Sequence, residues 1–277
     1  MSPVQSEHPA SEPSSPPQPL LALKGISKSF GPVEALKDVA FELRAGEVVG
    51  LVGDNGAGKS TLIKAIAGVQ PADEGESYFD GQRVSLTSPQ AATSLGIATV
   101  YQDLALCENL DVVENLYLGH EIGNRLPGVH LLDESAMEQR TLELLDSLGV
   151  TTIRSVRTEV AQLSGGQRQA VAIARSLLGE PKLVLLDEPT AALGIVQTRE
   201  ILKLIDRLRD RGLGVVVISH NLVNVFEVAD RIVVLRLGRA VASLDADATR
   251  REEVVGAITG AEFGDVGAER TTEEQQL

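Results

Sequence analysis

The sequence predicts an α/β fold in which a mostly parallel sheet is preceded by an N-terminal antiparallel β region and interrupted by an inserted helical subdomain. Three observations lead to this fold class. A glycine-rich loop lies between an apolar segment at 47–52 and a helix-like segment at 62–67. A second apolar run, 183–186, has the length and composition of a strand that is buried on both faces of a parallel sheet. Strand-like and helix-like segments then alternate up to residue 235, as they do around parallel sheets.

The composition divides the chain into three parts. Residues 1–19 are rich in Pro, Ser and Glu and contain no Lys or Arg, so they are predicted to be a disordered tail. Residues 20–245 should form the folded domain, with the helical subdomain at about 103–178. Residues 246–277 contain a short helix-like stretch and an acidic, Gln-rich end that should be frayed. A chain of 277 residues can bury one large α/β core.

Local patterns predict individual elements. Short strands are expected between Leu21 and Leu51, and the segment from Tyr78 to Leu86 is typical of a hairpin that turns at Asp80 and Gly81. The segment from Met137 to Leu148 has helical periodicity. Its expected apolar face consists of Leu142, Leu145 and Leu148.

The glycine-rich loop fits the pattern G-x-x-x-x-G-K-[ST] at residues 53–60. Glycine lets the backbone turn sharply and aim N–H groups at phosphate oxygens, and the following helix adds its positive N-terminal end. Lys59 should reach the β- and γ-phosphates of a nucleotide, and the Ser60 hydroxyl should bind Mg²⁺. The alternative is a glycine-rich turn with a solvated lysine. The candidate nucleotide-binding residues of the loop are Gly53, Asn55, Gly56, Gly58, Lys59, Ser60 and Thr61.

Two carboxylates, Asp187 and Glu188, end the apolar run at 183–186. Open α/β sheets bind ligands at the carboxyl ends of their strands. Asp187 is therefore a candidate Mg²⁺ ligand, and Glu188 is the candidate catalytic residue that polarises the water attacking the γ-phosphorus. The alternative is that the pair caps the next element or faces solvent.

Residues 163–167 read Leu-Ser-Gly-Gly-Gln, and at this motif the chain resembles the nucleotide-binding subunit of an ABC transporter. The resemblance extends from about Leu21 to about Asp245 and implies a P-loop NTPase (RecA-like) core. In that family the motif caps the γ-phosphate of ATP held by the opposite subunit, so a working site needs two chains. Ser164 also stands where a helix N-cap is expected, which would leave N–H groups facing an anion; a glycine-rich cap on an ordinary helix is the alternative. The residues that the resemblance assigns to ATP here are Ser164, Gly165, Gly166 and Gln167.

Three further site residues follow from the resemblance. Gln102, after a strand-like segment, resembles the glutamine that contacts Mg²⁺ and the attacking water, so it is both a candidate catalytic residue and a candidate metal ligand. His220 ends another such segment and resembles the histidine that contacts the γ-phosphate and orients the catalytic water. Phe30 lies where the family places an aromatic ring that stacks on adenine. Judged by residue type alone, a histidine at a strand end is more often a surface residue, and a phenylalanine is equally often part of a core.

One position departs from the family pattern. The family usually has aspartate where this chain has Gly194, and that aspartate normally bridges the two subunits. The residues that follow, 195–198, and the segment 100–116 are similar to short ATPases that energise the import of monosaccharides of the ribose, xylose and fructose kind. The departure therefore points to a subgroup of the family.

The resemblance implies an ATPase that binds ATP and Mg²⁺, works as a homodimer and drives a monosaccharide importer at the cytoplasmic face of the cell membrane. Its expected partners are integral-membrane permease subunits and, indirectly, a sugar-binding protein. Two other functions stay open: the same ATPase in another ABC transporter, such as an amino-acid importer or an exporter, and a non-transport ATP-dependent clamp or regulator. The sequence shows no internal repeat, so a single ATPase module is expected.

Composition agrees with these expectations. The formal net charge of −14 argues against nucleic-acid binding, because a phosphate backbone requires a basic surface. No apolar run approaches the ~20 residues that cross a bilayer, and no signal peptide is recognised. The single cysteine, Cys107, excludes an internal disulfide, fits a reducing compartment and is expected to pack in the core.

Overall fold

The computed structural model of the protein describes residues 18–126 and 129–261. Most of the predicted disordered tail at 1–19 and the whole acidic end from residue 262 onward lie outside the described residues. The boundaries of the three predicted parts stay a prediction.

The described strands, in chain order, are β1 Leu21–Phe30, β2 Val33–Leu43, β3 Val48–Val52, β4 Glu74–Phe79, β5 Gln82–Val84, β6 Ile97–Val100, β7 Gly123–Leu126, β8 Val129–Leu132, β9 Leu183–Asp187, β10 Gly214–Ile218, β11 Arg231–Arg236 and β12 Arg239–Asp245. The described α-helices are α1 Lys59–Ile66, α2 Pro89–Ser94, α3 Val112–Tyr117, α4 Glu134–Ser147, α5 Gly165–Ser176, α6 Ile195–Asp210, α7 Leu222–Val228 and α8 Arg251–Thr259. None of these helices is long and apolar enough to span a bilayer.

The central sheet has the strand order β12-β11-β3-β10-β9-β6. All neighbours are parallel except the edge strand β12, which runs antiparallel to β11. The strands β3 and β10 are buried along their whole length, because helices cover one face of this sheet and the antiparallel region covers the other. The predicted α/β fold with a mostly parallel sheet is confirmed.

The N-terminal antiparallel sheet has the order β2-β1-β4-β5. The predicted hairpin is present, with Phe79 opposite Gln82 and a turn at Asp80 and Gly81. Strands are present on both sides of the turn after Phe30, as predicted, but the expectation that they are short was wrong for β1 and β2, which are 10 and 11 residues long. Register shifts along this pair break the strict alternation of buried and exposed positions from which a long strand is recognised in a sequence.

Two hydrophobic clusters lie on opposite faces of the central sheet. Along β9, Leu183 and Leu185 belong to the cluster beneath the antiparallel sheet and α1, whereas Val184 and Leu186 belong to the cluster shared with the helices α5 and α6. A strand that is buried on both faces needs apolar residues at every position, which explains the uninterrupted apolar run in the sequence.

The segment predicted as a helical subdomain is not purely helical. It contains the hairpin β7–β8 between α3 and α4. Helix α4 begins after the cap Asp133, and its buried face consists of Met137, Thr141 and Leu145. The expected place of Leu142 on that face was wrong, since 51% of this residue is exposed. The buried positions follow i, i+4, i+8 spacing, and Leu142 falls one residue outside it.

A buried ion pair joins three strands at the edge of the central sheet opposite to the carboxyl ends of the parallel strands. Arg231 Nε donates to Glu47 Oε1 at 2.8 Å, and Arg231 Nη2 donates to the Glu42 carbonyl oxygen at 2.7 Å. The other oxygen of Glu47 accepts the backbone N–H of Arg44 at 2.7 Å. The side chains of Glu47 and Arg231 are only 10% and 21% exposed. A second cation, Arg44 Nη1, lies 3.9 Å from Glu47 Oε1, but its side chain is 50% exposed, so Arg231 is the main partner of the Glu47 charge.

Replacing Arg231 with Met should therefore reduce the free energy of unfolding by about 3 kcal/mol, because the carboxylate of Glu47 would stay buried without its main charged partner. Urea unfolding of the purified chain measures this change. The matched control is Arg250→Met, whose ion pair with Glu253 has an arginine that is 82% exposed and should cost less than about 0.5 kcal/mol. Equal midpoints for the two variants would contradict the prediction.

Candidate functional site

Four neighbouring parallel strands bring the predicted site residues to one edge of the central sheet. In register, Leu51 of β3 lies opposite Ile218 of β10, and Ile218 lies opposite Asp187 of β9. The strand β6 continues this row, with Val100 opposite Leu186. Since all four strands run in the same direction, the segments that leave them share one edge. These segments carry Gly53, Gln102, Glu188 and His220.

The glycine-rich loop connects β3 to α1, as the sequence predicted. Gly53 has φ 148°, and a side chain there would overlap the carbonyl of Leu235. Gly58 has φ 106°, and an added Cβ would lie 2.7 Å from the carbonyl oxygen of Ala35. Backbone conformation and lack of space thus both require glycine at these two positions. Between them, Asn55 and Gly56 are exposed.

Helix α1 begins at Lys59 with an N-terminus that is open to a ligand. The preceding Gly58 provides no side-chain cap, and the first turn of α1 holds no acidic residue. Its first N–H groups and the positive end of the helix are therefore available to an anion. Ser60 is exposed on this first turn, and Thr61 beside it is half-buried.

The ammonium group of Lys59 lies folded over the loop. Its Nζ donates to the carbonyl oxygens of Gly53 at 2.7 Å and Asp54 at 2.9 Å. Burial lowers the pKa of Lys59, while the negative charges of Glu188, Asp54 and Asp187 oppose this shift. A partly desolvated cation that is held among backbone oxygens is well suited to bind phosphate oxygens in their place.

The carboxylate of Asp187 lies close enough to Lys59 and Glu188 for their charges to shift its pKa. Burial raises its pKa, and the neighbouring Glu188 raises it further, whereas Lys64 and Lys59 act in the opposite direction. The folded chain therefore holds an ionised carboxylate that is less favourable here than in water. A bound cation would relieve this cost.

Replacing Asp187 with Asn should raise the Tm of the nucleotide-free protein at neutral pH. A raised folded-state pKa means that the folded chain binds the proton more tightly than the unfolded chain, so the stability contributed by this group is lost as the pH rises through that pKa. The advantage of the variant should shrink as the pH falls toward the ordinary aspartate pKa of about 3.9. Differential scanning calorimetry across this pH range measures it. A variant that melts below the wild type at neutral pH would contradict the prediction.

Glu188 adopts a backbone conformation that is rare for its residue type, with φ 52°. Its side chain is 15% exposed, and its Oε1 accepts the backbone N–H of His220 at 3.1 Å. Oε2 lies 2.9 Å from His220 Nδ1, but the direction of this contact does not fit a hydrogen bond. Among the described residues, Oε2 is thus a buried acceptor without a donor, which suits an oxygen that receives a proton from water.

Three oxygen-bearing side chains are candidates for Mg²⁺. They are the hydroxyl of Ser60, the half-buried carboxylate of Asp187 and the exposed amide of Gln102, the second residue after β6. Magnesium prefers oxygen ligands and usually takes one or two from the protein, with phosphate and water completing the octahedron. The donor set fits this ion, and the raised pKa of Asp187 is the observation that favours it.

The Leu-Ser-Gly-Gly-Gln motif forms the start of α5, and Ser164 is its N-cap. Gln167 N–H donates to Ser164 Oγ at 3.4 Å, and Ser164 N–H donates to Gln167 Oε1 at 2.9 Å, so the two residues form a capping box. The side-chain amide of Gln167 also donates to the Thr152 carbonyl oxygen at 2.6 Å. The side chain of Gln167 is thus already hydrogen-bonded within its own chain. A ligand at this turn would therefore contact its backbone N–H groups and not the Gln167 side chain.

The two glycines of the motif lie against the start of α6. A Cβ added to Gly166 would lie 2.9 Å from Gln197 Cβ, and one added to Gly165 would lie 3.1 Å from Leu193 Cδ2. Gly194 is the N-cap of α6, and its N–H donates to Gln197 Oε1 at 3.1 Å. Because glycine offers no side-chain acceptor in return, the position that usually holds aspartate in the family forms only half of a capping box.

Phe30 ends β1 and is 44% exposed, with the ammonium group of Lys28 5.7 Å from the centre of its ring. An exposed ring of this kind offers a face for stacking. Cys107 is half-buried, and its N–H donates to Asn115 Oδ1 at 2.8 Å. The role of Phe30 in nucleotide binding stays a prediction, as do those of the other candidate site residues.

Two polar residues that the sequence did not reveal adjoin the site. Asn224 Nδ2 donates to Thr190 Oγ1 at 3.0 Å and joins α7 to the loop that follows Glu188. The two residues are 34 positions apart, so no local spacing indicates this contact. Thr190 is buried, and a polar residue two positions after a candidate catalytic glutamate was the one signal available.

Comparison with known proteins agrees with this geometry. The ABC transporter family profile matches residues 36–191. The xylose/arabinose import ATP-binding protein of Sulfolobus acidocaldarius is 45% identical over 89% of this chain and 96% of its own length. The fructose import ATP-binding protein of Rhizobium meliloti is 45% identical over 88% of this chain and 95% of its own. A dimeric ATP-binding cassette solved in a post-hydrolysis state with ADP and Pi is similar in structure, with a TM-score of 0.67 and 29% identity, over 82% of this chain and 98% of that one.

Proposed function

Because the chain belongs to the ABC transporter family, we propose that it is the ATP-hydrolysing subunit of an importer and energises the uptake of a monosaccharide through a separate membrane permease. The observation that carries the ATPase activity is the meeting of Lys59, Asp187, Glu188 and His220 at one edge of the parallel sheet. The sugar is supported by the two import proteins that share 45% identity with nearly the whole folded domain.

The residues at this edge have separate roles in hydrolysis. Lys59 and the N–H groups of the first turn of α1 bind the β- and γ-phosphates of ATP. The Oε2 atom of Glu188 accepts a proton from the water that attacks the γ-phosphorus, and ADP leaves from the opposite side. His220 orients that water beside Glu188. Magnesium, held by Ser60, Gln102 and Asp187, would neutralise charge on the phosphate oxygens.

A second copy of the chain completes each site. The start of α5 is a helix N-terminus with an intact capping box at Ser164, and the helix as a whole packs against α3, α6 and β6 of its own chain. In the proposed dimer this turn caps the γ-phosphate bound by the other copy, and Phe30 stacks on the adenine. Hydrolysis would then open the dimer and move permease subunits, which receive sugar from a binding protein, at the cytoplasmic face of the membrane.

Affinity purification of the tagged chain from detergent-solubilised membranes tests the proposal. We expect a multi-span permease to be retained, together with ATPase activity that rises when one monosaccharide of a panel is added with its binding protein. Retention of a permease for another class of solute would overturn the sugar assignment alone. An active ATPase that retains no membrane protein would favour a clamp or regulator, and an inactive chain would contradict the enzyme itself.

A further inference from the structure

The backbone at His220 must be fixed by the elements on either side of it. The His220 side chain is 74% exposed, so packing does little to hold it. Nevertheless, its backbone N–H lies 3.1 Å from Glu188 Oε1, and its Nδ1 lies 2.9 Å from Glu188 Oε2. Helix α7 begins two residues after His220, at Leu222. Asn221 caps that helix, since Asn221 Oδ1 accepts the N–H of Val223 at 3.0 Å. The position of His220 therefore depends on how α7 is docked.

Helix α7 packs against α6, and two further contacts join it to segments of the site. On one side, Val225 is fully buried against Gly50 of β3, where any added Cβ would overlap the valine. This contact fixes α7 relative to the strand that leads into the phosphate-binding loop. On another side, Asn224 Nδ2 donates to Thr190 Oγ1 at 3.0 Å. This second contact fixes α7 relative to the loop that begins at Glu188.

Resting on the proposed ATPase function, we propose that Asn224 is a positioning residue for hydrolysis: through its hydrogen bond to Thr190 it holds His220 and Glu188 at a fixed separation. Thr190 is only 9% exposed, so water has little access to its hydroxyl when the amide is removed. Glu188 lies two residues before Thr190, and His220 lies four residues before Asn224. The bond thus links the segments 188–190 and 220–224 a few residues away from the contact between Glu188 and His220, the two residues proposed to act on the attacking water.

A matched set of variants tests the pair. Asn224→Leu and Thr190→Val remove the donor and the acceptor with little change in volume, and Thr190→Ser keeps the hydroxyl. Each of the first two should lower kcat about 10-fold, because displacement of a catalytic group by a fraction of an ångström has effects of this order. The KM for ATP should stay within about 2-fold, since the bond does not touch the bound nucleotide. Thr190→Ser should retain near wild-type kcat.

Two further readouts separate positioning from a general loss of stability. The double variant Thr190→Val/Asn224→Leu should be no slower than either single variant, because both remove the same bond. The ring NMR resonances of His220, identified by their absence in His220→Ala, should shift in Asn224→Leu. They should not shift in Glu227→Gln, which changes an exposed residue on the same helix.

The outcomes are distinguishable. An unchanged kcat in Asn224→Leu, losses that multiply in the double variant, or an unmoved His220 resonance would each overturn the inference. An ATP-inert wild type would contradict the proposed function, and the His220 resonance would still show whether Asn224 positions this ring. A raised KM with unchanged kcat would place the effect on nucleotide binding and would also overturn the inference.

Discussion

Glu188→Gln should retain ATP binding and lose about 10²- to 10⁴-fold in hydrolysis, the range that general-base catalysis contributes. Gln keeps the shape of the side chain, and its amide oxygen can still accept the backbone N–H of His220. What it loses is the buried Oε2 acceptor, which has no donor among the described residues and is the atom expected to take the proton from water. ATP should therefore bind, draw two copies together and remain uncleaved.

Single-turnover hydrolysis and size-exclusion chromatography with ATP measure the two halves of this prediction. The variant should elute as a dimer with ATP and as a monomer without it. The matched control is Glu200→Gln on α6, where the side chain is 45% exposed and forms an ion pair with Lys203. Hydrolysis by Glu188→Gln at the wild-type rate would refute its assignment as the base.

Lys59→Ala should weaken ATP binding by about 100-fold or more, because a partly buried cation that makes two or more charge-assisted hydrogen bonds contributes roughly 1.5–3 kcal/mol for each. The ammonium group of Lys59 donates to two backbone oxygens of the loop, those of Gly53 and Asp54. Exchange of those oxygens for phosphate oxygens requires little movement. Without the Lys59 ammonium group, the negative charges of Asp187 and Glu188 would repel the phosphates, and no lysine charge would offset that repulsion.

Isothermal titration with ATP and Mg²⁺ measures the loss in Lys59→Ala. Lys203→Ala is the control, because that lysine is 61% exposed on α6 and pairs with Glu200 on the same helix. The Tm of Lys59→Ala should stay close to that of the wild type, since burial disfavours the charged form of this lysine and offsets what its two hydrogen bonds contribute. An ATP affinity equal to that of the control would contradict the role of Lys59.

The elements with strong local signals were predicted well. The glycine-rich loop before α1, the strand that ends at Asp187 and the N-cap at Ser164 each rest on a few adjacent residues, and the structure has them where the sequence placed them. The parallel order of the strands then brings Gln102 and His220 to the same edge. This part of the site follows from topology alone once the strands are recognised.

Features that depend on distant contacts could not be predicted. The length of β1 and β2 is set by pairing across a sheet with register shifts, which leaves no regular alternation in the sequence. The exposure of Leu142 depends on which face of α4 meets α3. The bond between Asn224 and Thr190 and the left-handed backbone at Glu188 likewise appear only when the chain is folded.

The left-handed backbone at Glu188 makes thermal stability and ATP hydrolysis compete at this one position. A residue other than glycine costs about 1 kcal/mol or more in that conformation, so Gly at this position would relieve strain and remove the proposed base in one step. A library selected for heat resistance alone would therefore enrich an inert protein. Thermostable forms of this enzyme have to be sought elsewhere in the chain, with turnover kept as a second criterion of selection.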